Sequence, residues 1–175
     1  MLLILKPFRC QICGETYLGD ATADRCPYCG AAGKNLLPPA EWIDYDGMRI
    51  SEVSKELCKK ALQLEVDNQS FYKACAENAE TQVTQPIFKR LSKQEGEHAE
   101  VFADLLGEEE PEIDEDIEVP ETDAEKFEEA HRREHRAIKF YLEAAYQAKE
   151  PRVRQVFRAI SEIETEHKIV SNMYK

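Results

Sequence analysis

An internal repeat is the sequence feature that most constrains the fold of this chain. Residues from Ala61 onward match the residues 69 positions later without a gap, so that Phe71-Tyr72 corresponds to Phe140-Tyr141. Other identical pairs include Ala61 and Ala130, Glu65 and Glu134, Ala76 and Ala145, Phe88 and Phe157, Ser92 and Ser161, Glu95 and Glu164, Glu97 and Glu166, and His98 and His167. Sequence repeats of this kind fold into similar units that stack and bury a common core, so we expect two matching halves.

Apolar residues within each half recur every three or four positions, which is the spacing of amphipathic helices. Thr122 and Glu125 form the pattern of a capping box, and Pro86 and Pro151 suit first-turn positions, where no N–H donor is needed. The predicted helices run from 51 to 80, from Pro86 to the residue before Gly107, from Thr122 to about Lys149, and from Pro151 to the C-terminus. The sequence therefore predicts a mainly α protein in which 51–175 forms a pseudo-twofold four-helix bundle.

An acidic segment, 107–123, separates the two predicted helix pairs. It carries ten acidic residues and no basic one, a composition typical of a solvated connection, and its length suits a crossover from one end of the bundle to the other. The whole chain of 175 residues has a formal net charge of −12. Because nucleic-acid binding needs a basic surface, we expect no nucleic acid partner.

Four of the six cysteines form two Cys-x-x-Cys pairs near the N-terminus, each followed by glycine. The pairs are Cys10 with Cys13 and Cys26 with Cys29. Glycine permits the tight turn in which backbone N–H groups point at the sulfur atoms, and two such turns offer four thiolates in a tetrahedral array. The spacing predicts one metal ion, either iron as in an electron carrier or zinc as in a structural ribbon.

This pattern places a small metal module at 1–37, joined to the bundle by a linker at 38–50. Trp42, in the linker, is interpreted as a packing residue. The other two cysteines, Cys58 and Cys75, stand apart from the cluster and are expected to be buried free thiols.

The expected location follows from what the sequence lacks. No apolar run approaches the ~20 residues of a membrane span. Met1 to Leu5 is apolar, but it is shorter than the core of a signal peptide and no small-residue cleavage site follows. Without an export signal, clustered cysteines favour metal over disulfides. We therefore expect a soluble, cytoplasmic protein with no membrane contact.

A Glu-x-x-His motif occurs once in each half, as Glu95-Gly-Glu-His98 and as Glu164-Thr-Glu-His167. Residues three apart share a helix face and can bind one interior metal ion. The first helix of each half adds one glutamate, Glu65 or Glu134, giving four carboxylates and two imidazoles with twofold symmetry. This combination is the two-metal site of ferritin-like bundles, and hard oxygen ligands with two imidazoles favour iron or manganese.

Several neighbours of the predicted ligands carry weaker signals. Tyr72 and Tyr141 lie seven residues after Glu65 and Glu134, on the same faces. They are predicted to hydrogen-bond the ligand carboxylates, to carry an electron, or to pack in the core. His131 lies one turn before Glu134 and is a candidate supplementary ligand. The neighbouring residues expected on the surface are Glu97, Glu166 and His135.

The two Glu-x-x-His motifs with their partner glutamates, and the string Gln94-Glu95-Gly96-Glu97-His98-Ala99, resemble the rubrerythrin family of the ferritin-like superfamily. A rubredoxin-like module that precedes the bundle is similar to the order found in reverse rubrerythrins. One position departs from the family, which commonly carries a further glutamate where this chain has Ala137. In the family, that further glutamate is linked to an iron ion that exchanges ligands between redox states.

The resemblance implies a ferritin-like fold that holds two non-haem iron ions in the bundle and one iron, or alternatively zinc, in the cysteine module. In the family's pattern Glu95 and Glu164 would bridge the two irons. The remaining ligands implied by the resemblance are Glu65 and His98 for one iron, and Glu134 and His167 for the other.

The function implied by the resemblance is reduction of hydrogen peroxide to water, in defence against oxidative stress, with electrons returned through the iron of the four-cysteine module. The electron donor would be a rubredoxin or an NAD(P)H-dependent reductase. The two centres would have to lie close together, in one chain or between neighbouring chains, so a homodimer is expected. The open alternatives are a ferroxidase or oxygen-reducing diiron protein, and a non-catalytic iron-binding protein with a structural zinc ribbon.

Overall fold

The computed structural model describes residues 4–175, so that Met1 to Leu3 of the apolar N-terminal segment lie outside the described residues. A small three-stranded sheet comes first and four long helices follow. The strands are β1 (Lys6–Cys10), β2 (Thr16–Gly19) and β3 (Leu36–Leu37), and the helices are α1 (Glu52–Glu77), α2 (Thr84–Leu106), α3 (Asp123–Gln147) and α4 (Pro151–Tyr174). The predicted mainly α fold with a small N-terminal module is confirmed.

Local capping explains most of the helix boundaries. The side chain of Ser51 accepts a hydrogen bond from the Ser54 backbone at the start of α1, and the predicted capping box of Thr122 and Glu125 begins α3. Pro151 is the first residue of α4, as predicted. The hydroxyl or carboxyl oxygens of such caps satisfy backbone N–H groups that have no partner inside the helix.

The start of α2 differs from the prediction. The helix begins at Thr84 and not at Pro86, because the Thr81 hydroxyl accepts hydrogen bonds from the backbone of Val83 and Thr84 and so organises an earlier turn. Pro86 still lies in the first turn, where its missing N–H costs nothing. Helix α1 also ends earlier than predicted, at Glu77.

Helices α1 and α2 form one hairpin and α3 and α4 the other, as the repeat predicts. Aromatic side chains join the two hairpins: the rings of Phe88 and Phe127 stack with centroids 4.2 Å apart, and Phe102 stacks on Tyr141 at 5.9 Å. All four of these rings are fully buried. Offset aromatic pairs of this kind contribute beyond the area that they bury.

The helix ends are joined by buried polar contacts. At one end, Asp123 accepts hydrogen bonds from the Glu80 backbone and the Thr84 hydroxyl, and the fully buried Lys126 pairs with the same carboxylate at 3.0 Å. At the other end, Glu150 accepts from the Ser51 backbone at 2.6 Å and from the Ser54 hydroxyl. Buried charges persist in proteins when they are paired in this way.

The acidic connection between the hairpins has no helix or strand from Gly107 to Thr122. Most of its side chains are exposed. Two contacts tie it to α1, an ion pair between Glu115 and Lys73 at 2.8 Å and a hydrogen bond from the Asp114 backbone to Ser70 at 3.0 Å. It therefore serves as the long crossover that the charge run predicts.

The N-terminal module lies against α2 and α4. Its sheet has the antiparallel order β2-β1-β3, and its buried residues join the apolar core of the bundle. Polar contacts also cross the boundary: Arg25 pairs with Glu166 at 2.7 Å, and Arg90 donates to the Tyr28 carbonyl oxygen at 3.2 Å. Among residues 4–175, no helix has both the length and the apolar character needed to cross a membrane.

Candidate metal centres

The four clustered cysteines converge in the N-terminal module. Their sulfur atoms all lie within 4.8 Å of one another, and the Sγ atoms of Cys10 and Cys29, like those of Cys13 and Cys26, are 3.8 Å apart. A tetrahedron with metal–sulfur bonds of about 2.3 Å has edges of about 3.8 Å. The spacing therefore fits one tetrahedral iron or zinc ion.

Each pair of cysteines is held by a turn that ends in a left-handed glycine. Gly14 has φ +79° and donates to the Cys10 carbonyl oxygen at 2.8 Å, while Gly30 has φ +84° and donates to that of Cys26 at 3.0 Å. The backbone N–H of Ile12 points at the Cys10 sulfur at 3.4 Å. Hydrogen bonds among the four thiols lower the pKa values of Cys10 and Cys26 and raise those of Cys13 and Cys29, as expected for thiols that share protons.

The bundle interior contains two groups of four potential ligands, and these groups share Glu95 and Glu164. One group adds Glu65 and His98, and the other adds Glu134 and His167. All six residues are buried, the most exposed being His167 at 3%. We call this cluster the cage. The structure thus brings together every residue that the sequence assigned to the bundle site.

The distances within the cage are those of groups that face a common centre. Nδ1 of His98 lies 3.1 Å from Glu164 and 3.3 Å from Glu65. On the other side, Nδ1 of His167 lies 3.1 Å from Glu95 and 3.2 Å from Glu164. The two imidazole rings stack with centroids 5.9 Å apart. Each histidine therefore points into its own group while the shared glutamates lie between them.

The buried atoms without hydrogen-bond partners test whether metal ions fit the cage. Within the described residues, these atoms include one carboxylate oxygen each of Glu65, Glu95 and Glu134, both of Glu164, and Nδ1 of His98. A buried polar atom without a partner is costly. Two divalent cations would give these oxygen and nitrogen atoms their missing partners and would balance four carboxylates, so the residues present fit a two-metal site.

The pKa shifts within the cage also favour bound cations. Burial, together with repulsion from Glu95 and Glu164, raises the pKa values of Glu65 and Glu134 well above the usual range. Burial alone would lower the pKa of His167, but the charges of Glu164 and Glu95 raise it to about 9. Four carboxylates in a dry interior cannot all ionise without compensating cations, which two divalent metal ions would supply.

Hydrogen bonds on the outer nitrogen atoms orient both histidines. Nε2 of His98 donates to the carbonyl oxygen of Cys29 at 2.9 Å, because a carbonyl oxygen can only accept. Nε2 of His167 lies 2.6 Å from Oε1 of Gln94. A neutral imidazole that donates from Nε2 has its lone pair on Nδ1, the atom that faces the cage.

Two tyrosines each donate a hydrogen bond to the unshared glutamate of the opposite helix hairpin. The Tyr72 hydroxyl of α1 donates to Glu134 of α3, and the Tyr141 hydroxyl of α3 donates to Glu65 of α1. Both tyrosines are fully buried. Burial and the adjacent carboxylate raise the pKa of each phenol well above its usual range, so both keep their protons. The tyrosines thus contact the ligand carboxylates and also pack in the core, where Tyr141 lies against Phe102 and Tyr72 against Phe71.

Other candidates from the sequence lie outside the cage. His131, the candidate supplementary ligand, belongs to neither group of ligands and is partly exposed. His135 is exposed and lies 3.3 Å from Lys168. Glu97 and Glu166 also lie outside, and Glu166 pairs with Arg25 of the module.

Four further positions behave as the sequence suggests. Cys58 and Cys75 are fully buried free thiols, and burial raises the pKa of each to about 12. Ala137 is fully buried and contributes no ligand atom. Trp42 packs under the guanidinium group of Arg9 and donates to the Cys10 carbonyl oxygen at 3.2 Å.

Gln94 is a contact of the cage that the repeat alone does not reveal. Its equivalent in the second half is Ile163, so a comparison of identical pairs passes over it. The one sequence signal that could have identified Gln94 is its position directly before the ligand Glu95. The two halves of the repeat are symmetric in their ligands but not in the groups that support them.

The fold and the two centres define a class of protein: a ferritin-like four-helix bundle with a carboxylate and histidine cage, preceded by a rubredoxin-like four-cysteine module. The sequence model of the family described as Rubrerythrin matches residues 56–170. The chain belongs to the rubrerythrin family. Members of this family are typically iron-binding oxidoreductases, and the cage and the cysteine cluster are groups of this chain that could hold metal ions.

A named relative matches over part of its length. Reverse rubrerythrin-1 of Clostridium acetobutylicum is 30% identical over 115 residues, which cover 59% of this chain and 64% of the relative. The match therefore spans less than two thirds of the relative's length. The four-cysteine module before the bundle fits the reverse rubrerythrin architecture. No solved structure matches the chain.

Proposed function

We propose that the protein is a non-haem diiron peroxidase that reduces hydrogen peroxide to water with electrons passed through a four-cysteine iron centre. The observation that carries this proposal is the hydrogen bond between the Cys29 carbonyl oxygen and Nε2 of His98. A residue of the cysteine cluster thus touches a residue of the cage, within one chain. A structural zinc ribbon would not need this contact.

The residues available for two iron ions are those of the cage. Glu95 and Glu164 would contact both ions, Glu65 and His98 one, and Glu134 and His167 the other. Two ferrous ions bound there would supply the two electrons, and the Lewis acidity, that cleavage of the peroxide O–O bond requires. Two protons complete the balance, giving two water molecules from each peroxide.

The protein itself supplies orientation and exclusion of water. The Tyr72 and Tyr141 hydroxyls hold the two unshared carboxylates in place, and burial of all six cage residues removes competing water. The histidine hydrogen bonds to Cys29 and Gln94 keep the lone pairs on the inner nitrogen atoms. Preorganised groups in a dry site act more strongly than the same groups in water.

A continuous path links the two centres. It runs through the covalent bonds of Cys29 from its sulfur to its carbonyl group, across one hydrogen bond of 2.9 Å, and through the His98 ring to Nδ1 in the cage. Electrons would arrive one at a time from a rubredoxin or an NAD(P)H-dependent reductase. Because one chain contains both ends of the path, electron transfer does not require a partner chain, although a homodimer remains part of the proposal.

Metal analysis with a visible spectrum tests the proposal. We expect a red protein with three iron ions per chain, bleached by reductant and restored by a stoichiometric amount of hydrogen peroxide. Zinc on the four cysteines of a colourless protein would exclude the electron-transfer part of the proposal. Cys13→Ser removes one ligand of the four-cysteine cluster. If this variant still turned over peroxide at the original rate with the same reductant, the cysteine iron would not be the electron carrier, and oxidation of ferrous iron at the cage alone would be favoured.

A further inference from the structure

A groove of about 340 Å³ lies on the face of the bundle between α1 and α3. It contains Leu64 and Arg133, which are equivalent positions of the repeat, and also Asp67 and Arg136, which are equivalent as well. A site lined by both members of such pairs lies on the pseudo-twofold axis. The other end of this axis, between α2 and α4, is covered by the cysteine module, where Gly30 lies against the equivalent residues Gln94 and Ile163.

The two halves of the repeat differ in charge at this groove. Positive charge comes from Lys60, Arg133 and Arg136, and Asp67 is the acidic residue in the lining. Glu129 lies beside them, 3.1 Å from Arg133 and 3.6 Å from Arg136. These three cations and two carboxylates together carry one positive charge, in a chain whose net charge is −12.

Arg133 is held in position at the groove. Its guanidinium group lies over the ring of Phe71 at 4.3 Å and donates from Nε to Glu129. Its side chain is 25% exposed. An arginine fixed in this way loses little conformational freedom when it binds an anion, and its planar fork suits carboxylate and phosphate groups.

Asn68 forms the buried side of the groove and has an unused donor. The residue is 3% exposed, its Oδ1 accepts from Arg133 at 3.4 Å, and its Nδ2 has no hydrogen-bond partner within the described residues. Exchanging the amide nitrogen and oxygen would place NH₂ against the guanidinium donors of Arg133, so this contact fixes the assignment. A buried amide donor without an acceptor is costly.

We propose that this groove binds a small oxyanion, of the carboxylate or phosphate type. One oxygen atom accepts from Nδ2 of Asn68, which supplies the missing acceptor, and the others face Arg133 and Lys60. One negative charge neutralises the excess positive charge of the surroundings. The site does not use any residue of the cage, although Asn68 and Arg133 lie on the same two helices as Glu65 and Glu134.

Titration of the metal-loaded protein with sodium phosphate and with sodium acetate, against sodium chloride at equal ionic strength, tests the proposal. We expect phosphate, acetate or both to shift the side-chain NH₂ resonances of Asn68 in saturable fashion and to raise the melting temperature, and chloride to do neither. The anion that acts distinguishes a phosphate from a carboxylate source. Equal effects of all three salts would overturn the proposal.

Two variants and a matched control locate the effect. Arg133→Gln and Asn68→Leu should each weaken anion binding about tenfold or more, the value of one hydrogen bond to a charged group. Arg158→Gln makes the same charge change at an exposed residue of α4, outside the groove lining, and should leave binding unaltered. All three variants keep the cage, so an anion that binds to the iron ions would bind equally well to each of them. Equal anion affinity in the three variants would therefore contradict the groove site.

Discussion

Gly30 lies so close to Gln94 that a Cβ atom added to the glycine would be 3.2 Å from Nε2 of that side chain. The same atom would lie 3.3 Å from Cγ2 of Ile163, and the backbone φ of +84° is one that other residues rarely adopt. Glycine therefore allows the second cysteine turn to approach α2 and α4 closely. That approach brings the adjacent carbonyl group of Cys29 to His98.

Gly30→Ala should push the cysteine turn away from the bundle. We expect both metal centres to be retained but electron transfer between them to slow measurably, because the neighbours of the added Cβ atom must move apart and the hydrogen bond between Cys29 and His98 is stretched. Stopped-flow absorbance of the cysteine iron, after mixing the reduced protein with peroxide, measures this rate.

Gly47→Ala is the matched control. Gly47 also has positive φ, at +70°, but a Cβ atom there would have no neighbour within 4 Å. The strain of the backbone is therefore similar, while the approach of the two centres is unchanged. Equal rates in the two variants would mean that the Cys29 and His98 contact is not the path.

Most of the architecture can be predicted from the repeat, because helical periodicity and twofold symmetry are both visible in the order of residues along the chain. Glu65 and Glu134 could be placed on inner faces by spacing alone. The support of the cage was harder to predict, since Gln94 and Ile163 occupy equivalent positions but differ in chemistry. Docking of the cysteine module on its own bundle depends on surface complementarity, such as the Arg25 and Glu166 pair, and has no local sequence signal.

Local helix geometry explains the positions of Pro86 and His131. Pro86 marks the first turn of α2 but not its first residue, because a hydroxyl group three residues before Thr84 starts the turn. His131 lies three residues before Glu134 and so about 60° away from it around the helix, and it belongs to neither ligand group.

The shared glutamates should be required for binding of both metal ions in the bundle. Glu164→Gln removes a carboxylate common to the two ligand groups, so we expect bundle iron to fall from two ions per chain towards none, whereas Glu65→Gln should leave about one. Elemental analysis, corrected for the cysteine iron by its absorbance, measures the difference. Glu97→Gln, which alters a repeated glutamate outside the cage, is the control, and equal losses from Glu65→Gln and Glu164→Gln would contradict the shared role.

Tyr72 should contribute to stability through its bond to Glu134. Tyr72→Phe removes the hydroxyl donor from a buried carboxylate, so we expect the free energy of unfolding of the metal-loaded protein to fall by about 1–3 kcal/mol. Chemical denaturation measures the change. Tyr146→Phe removes a hydroxyl group from a side chain of a residue that is 86% exposed and should have no effect. Similar losses in both variants would show that the buried bond is not responsible.

The cysteines should divide into two chemical classes. In the folded, metal-loaded protein we expect slow alkylation of all six at pH 8, because metal protects the cluster and burial raises the pKa of Cys58 and Cys75 to about 12. A chelator that removes the metal should expose four thiols, and denaturant should expose six. Mass spectrometry of the alkylated chain counts them. Rapid labelling of Cys58 or Cys75 before denaturation would contradict their burial.

The contact between Asp123 and Lys126 should make stability depend on pH in the acid range. Burial alone would raise the pKa of Asp123, but hydrogen bonds from Thr84, Lys126 and the Glu80 backbone prevail and hold it below its usual value. A carboxyl group with a lowered pKa in the folded state stabilises the protein above its unfolded pKa of about 3.9, and this stabilisation is lost as the pH falls through the folded value.

Asp123→Asn should therefore destabilise the protein at pH 7 by about 3 kcal/mol, since it leaves the ammonium group of Lys126 buried without its counter-ion. The difference from the original protein should shrink as the pH falls below about 4, where the native carboxyl group also becomes protonated. Denaturation at a series of pH values measures both effects. Asp116→Asn makes the same substitution at an exposed crossover residue and should change stability little at any pH. A constant difference between Asp123→Asn and the original protein from pH 7 to pH 3 would show that the ionised carboxylate does not provide the stabilisation.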